Sequence, residues 1–338
     1  MEWIKRQPTD KAIGSWRYAY GRIAELENAL LNADQIARLF SASDVSDFRS
    51  MLQEFGYGGD NLDDVLARKA VEDDKMLEDV SPEARYQNRF LLINDAHNLK
   101  ALARVMWTAE EPFDLRKVGH LIISPFTVEP EDILKELRGE ERVLPEMYVE
   151  WLDRAHDVWL RTYETAQIDR VIDQALWREL MKDTEEDPSH WFSRWFTLTA
   201  DLINLEMILR GNRLAIPAER VTEALLPEGH LLHSELIAGI GDTQALVRYL
   251  NNSPYESMIP AVEGYAERGG ASDYNAAADH MKADLLKEAR MMPPGPERVY
   301  AYYLGRRMER DNIRLARACL LNRIAPDRAR SMMRPAAG

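Results

Sequence analysis

The feature that most constrains this chain is a motif that it carries three times: an acidic residue, two others, asparagine, and then leucine or isoleucine. A proline precedes each acid by thirteen positions, and an aromatic residue follows each proline by four. The copies are Pro82, Tyr86, Asp95 and Asn98; Pro188, Phe192, Asp201 and Asn204; and Pro296, Tyr300, Glu309 and Asn312. The prolines lie 106 and 108 positions apart, which indicates triplication of one long structural unit.

Each copy is predicted to be a long helix with a defined start. Ser81, Asp187 and Gly295 precede the prolines and suit an N-cap, and proline at the first helical position loses no hydrogen bond. No helix-breaking residue follows over residues 82–107. Gly211 is the expected C-terminal stop of the second copy.

The acid of each copy falls within an apolar stripe. Leu92, Leu99, Leu102 and Met106 share a helix face with Asp95 at three- and four-residue spacing. A carboxylate there needs partners, because burying an unpaired charge is costly. One hypothesis is a structural latch, bonded to a neighbouring helix end or to an arginine; the other is a catalytic or metal-binding carboxylate. Three copies favour the latch, since active sites are rarely tripled.

The pattern predicts an all-α protein of three similar helical domains, spanning 1–112, 113–218 and 219–338. Few β-branched runs occur among the many Ala, Leu, Glu and Arg residues. The predicted linkers are residues 110–112 and 215–218, and a Gly-His-Leu sequence follows each of them, at 119–121 and 229–231. A second ungapped correspondence pairs Asp44, Phe48, Leu52 and Tyr57 with Asp242, Leu246, Leu250 and Tyr255. The unit is far longer than a tetratricopeptide or ankyrin repeat.

The charge is unevenly distributed. The net charge of −14 argues against nucleic acid as the main partner. From Val299 onward, nine Lys and Arg residues outnumber three acids, which gives +6 there and −20 in the rest of the chain. This segment is either a solvated helix face or a docking surface for an acidic partner or lipid head groups. The candidate interface residues are Arg306, Arg307, Arg310, Arg314, Arg317 and Arg323.

No catalytic, cofactor-binding or metal site is predicted. The chain has no P-loop pattern, and His230 and His233 without a third ligand are a weak metal signal. Its acidic runs lack the Asp-Asp-x-x-Asp spacing that holds Mg²⁺ in isoprenoid synthases. Cys319, the single cysteine, is expected to be a small buried hydrophobic residue. No leader and no run of eighteen apolar residues occurs, so we expect a soluble protein.

Several motifs together resemble the C-type subunit of A-type and V-type rotary ATPases, whose eukaryotic counterpart is the d-type subunit. The resemblance rests on residues 94–104, 201–205 and 227–231, and on the Arg-rich helix with Glu309 and Asn312. The opening residues 18–22 and 57–59 are also similar to that family, and the likeness covers essentially the whole chain. The third copy departs from the others, since Arg306 replaces an apolar residue three positions before the acid.

The resemblance implies a non-catalytic rotor part. Members of this family are funnel-shaped, with three helical domains around a pseudo-threefold axis. They sit peripherally on the cytoplasmic face of the membrane's proteolipid ring and receive the central shaft, made of the D and F subunits. Rotation coupled to H⁺ or Na⁺ transport passes through them. The alternatives are an all-α enzyme acting on an isoprenoid diphosphate and a generic helical scaffold.

Overall fold

In the computed structural model, the described residues are 3–11, 14–109, 115–182, 184, 187, 189–227 and 229–336. Their regular structure is helical apart from one isolated β-bridge between Lys5 and Phe126, which confirms the predicted all-α class. No helix within these ranges is long and apolar enough to cross a membrane.

Seventeen α-helices lie within the described part of the chain. In order they are α1 (Trp16–Leu26), α2 (Ala33–Leu39), α3 (Val45–Glu54), α4 (Leu62–Val80), α5 (Ala84–Thr108), α6 (Leu115–Val118), α7 (Pro130–Leu137), α8 (Glu146–Thr162), α9 (Thr165–Met181), α10 (Trp191–Leu214), α11 (Ala218–Ala224), α12 (His233–Ala238), α13 (Thr243–Leu250), α14 (Ile259–Glu263), α15 (Gly270–Arg290), α16 (Pro296–Leu321) and α17 (Pro326–Ser331). The three longest of these, α5, α10 and α16, carry the three motif copies, and we call them the repeat helices.

The chain divides into two compact units. The smaller unit contains Met1–Lys11 and Glu83–Pro188, and the larger contains Ala12–Pro82 and Ser189–Gly338. The smaller unit therefore holds the first repeat helix, and the larger unit holds the other two. The three domains with boundaries near residues 112 and 218 stay a prediction.

In the smaller unit, α5 packs against α7 and α9, and α8 and α9 form a helical hairpin with a two-residue connection. Its fully buried side chains include Leu99, Leu102, Ile168 and Ile172. The N-terminal segment joins this unit through backbone hydrogen bonds between Arg6 and Phe126 and between Phe126 and Ile4.

Two hydrophobic cores are found among the described residues of the larger unit. One lies around α10 and includes Leu202, Leu205, Ile208, Leu209, Leu246, Leu250, Tyr255 and Tyr274. The other joins α2, α3 and α4 to α16 and includes Leu31, Ile36, Leu39, Phe40, Phe48, Leu52, Leu66, Ile313, Ala316 and Cys319. Each core thus forms around one repeat helix.

The predicted helix starts are right in the third copy and wrong in the first two. Pro296 is the first residue of α16, and Gly295 is its N-cap. In the first copy α5 begins at Ala84, because residues 81–83 are extended or bent. In the second, α10 begins at Trp191 after His190 in a left-handed conformation, and Pro188 lies outside the described residues.

Gly211 is not the end of α10, which continues to Leu214. A Cβ atom at Gly211 would lie 2.6 Å from Cγ2 of Val221, so glycine is needed for close packing against α11. The helix is instead ended by Ala215, which has a left-handed φ of 51° and is followed by Pro217.

The second sequence correspondence coincides with a matching pair of helices. Asp44 and Asp242 are the N-caps of α3 and α13, and their carboxylates accept hydrogen bonds from the backbone N–H groups of Asp47 and Ala245. These helices position the tyrosines that follow them, Tyr57 and Tyr255, toward the acids of two repeat helices.

Candidate functional site: three acid-centred latches

The first latch forms around Asp95 of α5, whose side chain is fully buried. Its Oδ1 accepts a hydrogen bond from the backbone N–H of Thr127 at 2.8 Å. Its Oδ2 accepts from the Thr127 hydroxyl at 2.6 Å and from the Tyr148 hydroxyl at 2.8 Å. Asp95 therefore fastens the repeat helix to the segment before α7 and to the first turn of α8.

The second latch has the same plan around Asp201 of α10. The carboxylate is fully buried and accepts the backbone N–H groups of His230 at 2.9 Å and Leu231 at 3.2 Å. It also accepts the Tyr255 hydroxyl at 2.5 Å. A Cβ atom on Gly229 would lie 2.5 Å from Asp201 Oδ1, so the glycine of the Gly-His-Leu sequence makes room for the carboxylate.

The third latch joins distant parts of the chain. Glu309 of α16 accepts the backbone N–H of Leu31 at 2.6 Å through Oε2, and its Oε1 accepts the Tyr57 hydroxyl. The same Oε1 accepts Arg306 Nη1 at 2.5 Å. An acid, a backbone N–H and a tyrosine hydroxyl thus recur in all three latches, and the third adds a guanidinium.

The motif asparagines form a second threefold set of bonds. Each accepts a backbone N–H through Oδ1 and donates through Nδ2 to the carbonyl of that same residue. The pairs are Asn98 with Ile123 (2.8 and 2.9 Å), Asn204 with Leu226 (2.8 and 3.3 Å), and Asn312 with Arg334 (2.8 and 3.1 Å). All three asparagine side chains are fully buried, so these paired bonds satisfy amides that water cannot reach.

Burial governs the titration of the first two latches. It raises the pKa of Asp95, against the opposing effect of the Thr127 and Tyr148 hydrogen bonds. It likewise raises the pKa of Asp201, opposed by Tyr255 and the His230 and Leu231 N–H groups. Burial and the neighbouring carboxylates raise the pKa values of Tyr148 and Tyr255, so both phenols stay protonated donors.

Two histidines extend the same bonding pattern to backbone carbonyls. His97 Nε2 lies 3.0 Å from the Leu121 carbonyl, and burial lowers its pKa, which favours the neutral ring. His233 Nε2 lies 2.7 Å from the Leu226 carbonyl. Within the described ranges, no group of three His, Cys, Asp or Glu side chains is placed to hold a metal ion.

The motif aromatics lie at the N-terminal ends of the repeat helices and are buried. The Tyr86 hydroxyl donates to Asp187 at 3.1 Å, and Arg89 donates to the same carboxylate at 2.8 Å. Asp187 is therefore an ion-pair partner rather than the predicted N-cap. In the larger unit, Phe192 and Tyr300 meet edge to face with ring centroids 5.5 Å apart.

The basic C-terminal segment is paired mostly with acids of this chain. Arg306 and Arg310 are buried and both bond to Asp73 of α4, so neither presents its charge to a partner. Arg317 pairs with Asp63 at 3.0 Å, and Arg314 with Asp311 at 3.0 Å. Arg307 and Arg323 are exposed and form no ion pair among the described residues. The docking hypothesis is thereby narrowed to the exposed arginines.

Sequence reasoning missed Tyr148 and Asp73. Tyr148 follows Asp95 by 53 positions, as Tyr255 follows Asp201 by 54, so the acid-to-tyrosine spacing of the second copy would have pointed to within one residue of it. Asp73 had no such signal, because it lies in an acidic run that reads as solvated surface.

The fold and the latches together define an all-α repeat protein whose buried carboxylates hold structure. A family model described as ATP synthase (C/AC39) subunit matches residues 19–332. Because this match covers nearly the whole chain, the chain belongs to that family and is a subunit of a V/A-type ATPase, which confirms the predicted resemblance. No curated protein matches the chain.

Proposed function

We propose that this chain is a non-catalytic rotor subunit that links the proteolipid ring in the membrane to the central shaft of the D and F subunits. In that role it sits peripherally on the cytoplasmic face, as three similar helical domains around a pseudo-threefold axis. It transmits rotation for H⁺ or Na⁺ transport through packing and polar bonds.

The observation that supports the proposal is that the motif acids are bonded to donors of this same chain. Asp95, Asp201 and Glu309 are all buried, and each is bonded to a tyrosine and to at least one backbone N–H group. A carboxylate whose acceptor positions are filled by protein donors has little capacity left for a substrate or metal. A part that carries torque needs such fixed connections between helices.

The exposed arginines of α16 and its C-terminal end are the candidate contacts with the ring or shaft. Arg307 and Arg323 are the ones without an ion pair within the described ranges. Attraction of such residues to an acidic surface is screened by salt.

The experiment is depletion and reconstitution of the ATPase in sealed vesicles. ATP hydrolysis and ion transport are measured on the same vesicles with the protein, without it, and after adding it back. We expect depletion to leave hydrolysis by the catalytic head running and to abolish transport, and re-addition to restore transport. Tight coupling in the depleted vesicles would show that another component of the enzyme forms the link.

A further inference from the structure

We call the core around α10 the second repeat and the core that joins α2, α3 and α4 to α16 the third repeat. The third repeat is assembled from segments that are far apart in the sequence. Helices α16 and α17 come from the C-terminal end, and they pack against α1, α2 and α4 from the N-terminal end. Glu309 bonds to residues 278 and 252 positions away, whereas the Asp201 partners lie 29 to 54 positions away. We call the contact of residues 16–80 with α16 and α17 the terminal seam.

Around the motif, the apolar side chains that the repeat helix contributes to its core are smaller in α16 than in α10. Helix α10 contributes Leu202, Leu205, Ile208 and Leu209 to its core. Helix α16 contributes Ile313, Ala316 and Cys319 to the corresponding core. In the motif register, Ala316 occupies the place of Ile208, and Arg310 that of Leu202. Around the motif, α16 therefore buries less apolar side-chain area in its core than α10 does.

Charged bonds take the place of the missing apolar contacts. Arg298 of α16 bonds to Glu27 at 2.5 Å, and Arg306 and Arg310 bond to Asp73 of α4. The Tyr303 hydroxyl donates to Asp74 at 2.8 Å. Buried ion pairs contribute little net stability, because opening returns both charges to water.

Two clefts lie along the seam. One of about 770 Å³ separates α3 and the following loop from the C-terminal end of α16, and it is lined by Phe48, Leu52, Leu320 and Leu321. Another of about 370 Å³ lies between residues 39–43 and the end of α16 with α17. The second repeat has a smaller cleft, of about 350 Å³. Both seam clefts are open to solvent, so water reaches the edge of the contact between their walls.

We propose that the terminal seam is a clasp that opens as one unit, releasing α1–α4 from α16 and α17 while the second repeat stays folded. The seam combines a long chain separation, small apolar side chains on α16 around the motif, and two clefts at its edge. Its two halves belong to opposite ends of the chain, so separating them requires no break in the second repeat.

Native-state hydrogen exchange of the full chain in low concentrations of urea tests this. The amides compared are those of fully buried helical residues: Leu66 and Ile313 at the seam, and Leu205, Leu246 and Leu250 in the second repeat. We expect the two seam amides to share one opening and to exchange at least about tenfold faster than the other three. Equal rates, or seam amides that open independently of each other, would overturn the clasp.

A matched pair of variants gives a second test. Tyr57→Phe and Tyr255→Phe each remove one hydroxyl from a latch acid. In Tyr57→Phe we expect exchange to rise together in residues 31–80 and 296–321, by about tenfold. In Tyr255→Phe the rise stays within residues 201–262. A Tyr57→Phe effect restricted to the neighbours of position 57 would contradict the proposal, and the wild-type experiment decides if either variant fails to fold.

Discussion

The second and third repeats contain the same motif but surround it with different electrostatics. Asp201 is held by two backbone N–H groups and a phenol, all neutral donors. Glu309 is held by one backbone N–H, a phenol and the Arg306 guanidinium. In the motif register, Arg306 and Arg310 stand where α10 has Leu198 and Leu202. The shared motif therefore determines which kinds of donor bond to the acid. It does not determine whether a positively charged side chain is also present.

The difference has an energetic consequence. Neutral donors offset only part of the free-energy cost of removing a carboxylate from water. Burial therefore raises the pKa of Asp201. In the third repeat the penalty is shared among Glu309, Asp73 and two arginines, so each charge depends on the others. Removing one member of such a network leaves an uncompensated buried charge.

The largest expected effect comes from breaking that network at Asp73. Asp73→Asn leaves Arg310 without its buried carboxylate and should lower the free energy of unfolding by about 3–5 kcal/mol. Urea denaturation measures it, and Asp64→Asn, at an exposed position of α4, is the control, with an expected change within about 0.5 kcal/mol. Equal effects of the two variants would show that the network contributes nothing specific.

The next comparison removes the motif asparagine from each repeat. Asn204→Ala leaves the N–H of the buried Leu226 without its acceptor and should cost about 1–3 kcal/mol. The Leu226 carbonyl keeps its contact with His233 Nε2. Asn312→Ala should cost less, because its partner Arg334 is partly exposed, so water can replace the amide. Urea denaturation of both variants measures the difference, and a larger loss for Asn312→Ala would reverse the comparison.

The smallest expected effect is a pH dependence in the first latch. Because the pKa of Asp95 is raised in the folded state, its contribution to the free energy of unfolding is fully present below its unfolded pKa of about 3.9 and is lost as the pH rises through the folded pKa. The stability difference between wild type and Asp95→Asn should therefore shrink with rising pH above about 4. Urea denaturation across that window measures it, and a difference that grows with pH would contradict the burial of Asp95 as the dominant cause.

Much of this architecture could be predicted from local pattern. Apolar spacing predicted the repeat helices, because a long amphipathic stripe has few other ways to be buried. The position of each acid within that stripe predicted a buried carboxylate with a structural role, and Asp95 and Asp201 are fully buried. The correspondence of Tyr57 with Tyr255 was also evident from the sequence. That both tyrosines donate hydrogen bonds to motif acids was not.

The remainder depends on contacts that sequence spacing does not contain. Tyr57 and Leu31 reach Glu309 across most of the chain, so no local pattern connects them. Arginine side chains are usually exposed, but Arg306 and Arg310 are buried. Their burial is explained by the carboxylate of Asp73, which lies opposite both of them in the fold. The start of α5 at Ala84 rather than Pro82 shows that a proline and a preceding serine allow a helix start without requiring it.

The length of the third latch also bears on the order in which the protein forms. Closing the 278-residue interval between Leu31 and Glu309 has a loop entropy cost about 2 kcal/mol greater than closing the 30-residue interval between Asp201 and Leu231. During synthesis, α1 to α4 leave the ribosome long before α16 exists to cover Phe48, Leu52 and Leu66. The apolar face of the nascent N-terminal segment therefore stays exposed until α16 has been synthesised. Pulse proteolysis of ribosome-bound chains would show this as a region near residues 31–66 that becomes resistant only after α16 is released.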